Sequence, residues 1–251
     1  MSATGSSTAG RSCVPPEALL ALPVEVPSAL QRLTAPGGAS PLLQNVHAIG
    51  DRANTVVLDA FAPHLSPSAD RRLRIEHAQL LTPADLDRIV DLGVIASYQP
   101  THATSDMSYV LAKLGPDRMN RRGNYAWRSV LDGGGKIALG SDFPIESVDP
   151  LKGFYAAVTR LDERGQSPHG PGGWFPAERL TRAQALKGMT LDTAHAAFAE
   201  QHTGSLEPGK RADFVVWDRD IMTCPPAEIL EAKVLVTVRT PALSTLERTV
   251  G

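Results

Sequence analysis

QNVHAI at residues 44–49, RLRIEHA at 72–78, VIASYQP at 94–100 and KIALGSDFP at 136–144 decide the fold. Each is a short, largely apolar run of strand length, and helical spacing fills the gaps between them. After the first run Asp51 is placed to cap a helix whose apolar positions are Val56, Val57, Ala60 and Phe61. After the second, Thr82 is an N-cap residue, Pro83 suits the first turn and Asp85 lies nearby. Leu86, Ile89 and Val90 then keep helical spacing until Gly93 stops the helix. An irregular stretch from Asp106 to Arg122 and a helix over 125–134 separate the third run from the fourth. Asp149-Pro150 opens a further helix. Alternating strands and helices, with near-continuous apolar strands, predict a parallel α/β sheet.

The polar residues fall in one recurring place. His47, His77, Gln99 and Asp142 each sit at or near the C-terminal end of a strand run. In a (β/α)8 barrel those ends face one another and carry the chemistry. Two imidazoles and a carboxylate there suit a divalent ion of borderline softness such as zinc. Singly, each residue also has an ordinary reading. A lone strand-end His can be a hydrogen-bonded structural residue, and Asp142 after Gly140-Ser141 can be a turn or cap residue.

Composition excludes several classes. Hydrophobic residues make up 42% and charged residues 21%, the balance of a soluble globular chain and not of a disordered or fibrous one. Lys and Arg number 25 against 27 acids, so no basic excess exists to neutralise a nucleic-acid backbone. No run of about 18 apolar residues suggests a membrane span. Cys13 and Cys224 are too few and too far apart for a disulfide framework, which points to a reducing, cytoplasmic compartment. Residues 1–43 lack the basic and apolar regions of a secretory signal, and their Pro and Gly content reads as a weakly ordered leader.

HAIGDRA (47–53), RIEHAQLL (74–81), YQPTHATSD (98–106), GSDFP (140–144) and SLEPGKRADFVVWDRD (205–220) together resemble the amidohydrolase superfamily, in particular its amidohydrolase-3 group, which includes N-substituted formamide deformylase-like proteins. The likeness runs from about Gln44 to about Arg239. It implies a metal-dependent hydrolase on a distorted TIM barrel with a small β-sandwich, acting on non-peptide C–N bonds of small amides through metal-activated water. By resemblance His47 and His77 are metal ligands on the barrel's fifth and sixth strands. Asp142 is the ligand on the eighth strand and the general base, and the metal is divalent, zinc by family habit. Gln99 and His102 are candidates to face the substrate. Residues 44–200 correspond to the C-terminal half of the barrel, and 201–251 to a sandwich remnant and tail. Asp213, His64, His169, His195 and His202 read as structural.

The sequence also departs from that family. Its first-strand His-x-His pair has no counterpart among the seven histidines, at 47, 64, 77, 102, 169, 195 and 202. The bridging ligand of the central strand is missing upstream of His47 as well. Two expectations therefore stand side by side. One is a hydrolase of N-acyl or N-formyl amides. The other is a truncated, inactive chain that associates with a second copy or with a full-length homologue, since half a barrel leaves open strand edges.

Overall fold

The computed structural model describes residues 45–65 and 70–240. The leader expected over 1–43 and the tail from 241 lie outside the described residues. Strands β1 (Asn45–Ala48), β2 (Arg74–His77), β3 (Ile95–Tyr98) and β4 (Lys136–Leu139) form one parallel sheet in the order of the sequence. Val46 stands opposite Ile75, Ile75 opposite Ala96, and Ala96 opposite Ile137, so one register row crosses all four strands. Burial rises away from the β1 edge. Asn45 and His47 of β1 are exposed, whereas all four residues of β3 are buried. This is the near-continuous apolar strand expected of a sheet covered on both faces.

Helices make the crossovers. α1 (Asp51–Phe61) links β1 to β2 and buries Val57, Leu58 and Phe61. Its N-cap is Gly50, one position before the Asp51 cap that the sequence suggests, and Asp51 is the first helical residue. Fully buried Asn54 donates to the carbonyls of Gly50 (2.9 Å), Ile49 (3.3 Å) and Leu80 (3.2 Å), tying together the chain just past β1 and just past β2. α2 (Pro83–Asp91) links β2 to β3 and begins as expected. Thr82 Oγ1 accepts from the Asp85 amide at 3.0 Å, and Pro83 occupies the first turn. Gly93, with φ 65°, follows the helix.

Between β3 and β4 the expected irregular stretch is largely helical: α3 (Pro100–Asp106), α4 (Val110–Leu114) and α5 (Pro116–Met119) precede α6 (Trp127–Asp132). Pro100 starts a helix as well as ending β3, because proline has no amide to donate in the first turn. After β4, Asp149 caps α7 (Pro150–Thr159) by accepting from the Leu151 amide at 2.9 Å. Thr190 separates two consecutive helices, α8 (Arg182–Met189) and α9 (Leu191–Ala196). Both pack against β4. At Gly188 even a methyl group would meet Leu139 at 2.9 Å. β5 (Phe214–Trp217) and β6 (Val234–Val238) pair antiparallel as a separate two-stranded ladder, with a register irregularity at Val216/Trp217. Among the described residues no helix is long and apolar enough to cross a membrane.

Candidate metal centre

The C-terminal ends of the strands gather the histidines. His77 is the last residue of β2, Gln99 follows β3, His102 lies in the first turn of α3, and Asp142 sits three residues past β4. His77, Gln99 and His102 are buried, while the Asp142 side chain is 36% exposed. One ligand-capable atom each from His77, His102 and Asp142 lies within 4.8 Å of the others. The His77 and His102 rings stack at a centroid distance of 5.5 Å and 16° between planes. His102 Nε2 and Asp142 Oδ2 are 3.6 Å apart, beyond a hydrogen bond. That nitrogen is buried and has no hydrogen-bond partner among the protein groups. An orphaned buried nitrogen costs free energy unless something supplies a partner, and a divalent cation among two imidazoles and a carboxylate would do so.

His47 stands beside this trio. Its ring meets the edge of His77 at 4.3 Å and 69°, on the exposed side of β1. Of the three residues assigned as ligands by resemblance, His77 and Asp142 fall in the compact cluster and His47 flanks it. The third member of the cluster is His102, which the sequence placed facing substrate. Pro100 starts α3, and the His102 amide donates to the Gln99 carbonyl at 3.0 Å, so the helix turns straight out of the strand end.

Burial is the first cause that holds the His77 imidazolium below its ordinary pKa, and the neighbouring His47 is the second. His77 is therefore neutral near pH 7, the form that ligates. Its Nδ1 lies 2.8 Å from Gln99 Oε1, and Gln99 Nε2 donates to the Ser97 carbonyl at 3.2 Å. Both ends of the Gln99 amide are thus taken up inside the protein.

The backbone is strained where the chemistry sits. His77 has φ 76° and Asp142 has φ 58°, in the left-handed region that costs a residue with a side chain about 1–2 kcal/mol. Such strain collects where the surrounding fold over-determines a geometry, commonly at functional sites.

A second polar group borders the cluster, and sequence reading had given it no role. Asp106 accepts from Tyr125 Oη at 2.5 Å and from Gln79 Nε2 at 3.3 Å, and Tyr109 also donates to it. Gln79 is two residues past His77, and Asp106 is one helical turn past His102. The i, i+4 spacing of His102 and Asp106 behind Pro100 is the signal that could have revealed it. Carboxylate proximity and burial raise the Tyr109 phenol to about 12, led by its hydrogen bond to Asp106.

The amidohydrolase family profile matches residues 38–240. The chain belongs to the amidohydrolase family. It is 39% identical over 204 residues to the protein LONG AFTER FAR-RED 3 of Arabidopsis thaliana, a match covering 78% of this chain and 34% of that protein. It is 32% identical over 193 residues to the N-substituted formamide deformylase of Arthrobacter pascens, covering 76% of this chain and 34% of the enzyme. A crystal structure of a metal-dependent hydrolase from Pyrococcus furiosus superposes with a TM-score of 0.59 at 34% identity, over 71% of this chain and 34% of that one. The chain spans about a third of the length of the relatives it matches. The α/β fold with its four-stranded parallel sheet is thus part of the barrel of the amidohydrolases, as the motif order implied.

Proposed function

We propose that this chain carries part of a metal-dependent centre that hydrolyses the C–N bond of N-acyl or N-formyl amines. The observation that carries the reading is the cluster of His77, His102 and Asp142, with a buried orphan nitrogen and two members on strained backbone. The formamide substrate class is taken from the name of the Arthrobacter pascens relative. His77, His102 and Asp142 would hold the ion, with His47 as a further ligand against His77. Two imidazoles and a carboxylate favour zinc. Bound there, a divalent ion supplies Lewis-acid polarisation of the amide carbonyl and makes water more acidic.

The chain's own residues do the rest. The half-exposed Asp142 carboxylate reaches both solvent and the cluster, so it can take a proton from the attacking water. It can then return that proton to the leaving nitrogen. The C–N bond breaks, a C–O bond forms, and one water is consumed to give an acid and an amine. The edge contact with His47 on one side and the stack on His102 on the other restrain the His77 ring.

A second reading, that the chain alone is inactive and works against a second copy or a longer relative, is favoured by one observation. Among seven histidines no His-x-His pair exists to complete the ligand set. One experiment tests both. Zinc binding by calorimetry and amine release from an N-formyl amine are measured on the natural chain and on Asp142→Asn. Turnover that falls by about 10²–10⁴-fold in Asp142→Asn, with an unchanged circular dichroism spectrum, supports the hydrolytic reading. Zinc binding without turnover supports the second reading, and absence of both overturns the metal centre.

A further inference from the structure

We infer that Gln99 is a positioning residue: it fixes the His77 ring in the tautomer that leaves Nε2 free as a ligand. The inference rests on reading His77 as a metal ligand.

It follows from which atoms can donate. The Ser97 carbonyl is an acceptor only. Gln99 turns one end of its amide to that carbonyl at 3.2 Å. If that end were the oxygen, two acceptors would face each other inside the protein, so it is the NH2 group. The other end, the Oε1 oxygen, then faces His77 Nδ1 at 2.8 Å. An oxygen at that distance requires a proton on Nδ1. A neutral imidazole carries one ring proton, so Nε2 keeps its lone pair.

Both partners are nearly closed off from water. Gln99 is 7% exposed and His77 is 5% exposed, so solvent offers no competing acceptor. The anchor is also local. Ser97 is inside β3 and Gln99 is two residues on, so the strand that carries the amide also orients it. The lock therefore comes from β3 and acts on the last residue of β2. Metal-bound histidines generally hand their second ring proton to a carboxylate or carbonyl, and here a side-chain amide takes that place. Gln99 would touch neither substrate nor ion.

The experiment reads the tautomer directly. In the metal-free full chain, long-range 1H–15N correlations report which nitrogen of each ring carries the proton, and His77 is identified by its loss in His77→Ala. The natural chain is expected to carry the proton on Nδ1. So is Gln99→Glu, whose protonated carboxyl would keep an acceptor oxygen toward Nδ1 and give its O–H to the Ser97 carbonyl. Gln99→Met, close in volume but with only a weakly accepting thioether, is expected to move the proton toward Nε2. Cobalt(II) affinity by calorimetry should fall 10–100-fold in Gln99→Met and recover in large part in Gln99→Glu. A proton on Nε2 in the natural chain overturns the inference. So does an unchanged tautomer in Gln99→Met, or a Gln99→Met chain that binds cobalt normally while His77→Ala does not. If His77→Ala itself leaves cobalt affinity untouched, the metal centre fails as a reading, and the tautomer measurement still judges the lock.

Discussion

Asp142 answers two opposed demands. As a carboxylate it belongs to the cluster, yet its φ of 58° is a conformation that glycine adopts freely and aspartate only at a cost. Asp142→Gly should therefore abolish metal binding and still melt at or above the natural chain in a thermal scan. Relief of backbone strain would offset the entropy glycine loses on folding. Strand-end position alone made His47, His77, Gln99 and Asp142 visible in the sequence, because parallel strands send their last residues to one face. The rest was not visible. His102 enters the cluster because Pro100 turns the chain into a helix at once, and Gln99 is consumed by Ser97 and His77. Both depend on side-chain directions that spacing does not encode.

At the scale of single elements, caps carry much of the local specification. Thr82→Ala removes the acceptor for the Asp85 amide and the hydroxyl that donates to Asp85 Oδ2 at 2.8 Å. Asp85 would keep Thr55 and Arg88 as partners. Loss of an N-cap of this kind costs about 0.5–2 kcal/mol, and urea unfolding should show the unfolding free energy fall by that amount, through a lower midpoint at an unchanged slope. The Thr82-Pro83 and Asp149-Pro150 helix starts could be read from sequence because each unites a cap side chain with a residue preset for the first turn. The helices between 100 and 119 could not. They run four to seven residues, too short for periodicity to declare itself, and tertiary packing around buried Met107, Val110 and Met119 holds them. The break at Thr190 was equally silent, since no proline marks it and Gly188 lies inside the helix that precedes it.

Across the whole molecule, segments far apart in sequence are tied at a knot just ahead of β2. Arg72 donates to Asp70 at 2.8 Å and to both oxygens of Glu200 at 2.7 and 2.8 Å, and its guanidinium lies 4.0 Å over the Phe198 ring. Hydrogen bonds from Arg72 come first among the causes that pull the Glu200 carboxyl down from 4.5 to about 2. A carboxylate whose folded pKa is depressed stabilises the fold fully above its unfolded value and loses that contribution as pH falls through the folded one. Melting temperature should thus decline between pH 4.5 and 2, and Glu200→Gln should lower it at pH 7 and flatten that acid limb. The sheet adds strands in chain order, each pairing with its neighbours in sequence. His77, His102 and Asp142 come from three successive βα units of that series. A divalent ion gripped by all three would cross-link the units at the C-terminal ends of their strands, a clasp added to the strand pairing and to the contacts between their helices. At a zinc concentration one hundred times its Kd the clasp is worth about 2.7 kcal/mol. Zinc should then slow amide hydrogen exchange in β2, β3 and β4 together, and leave exchange in Asp142→Asn as it was.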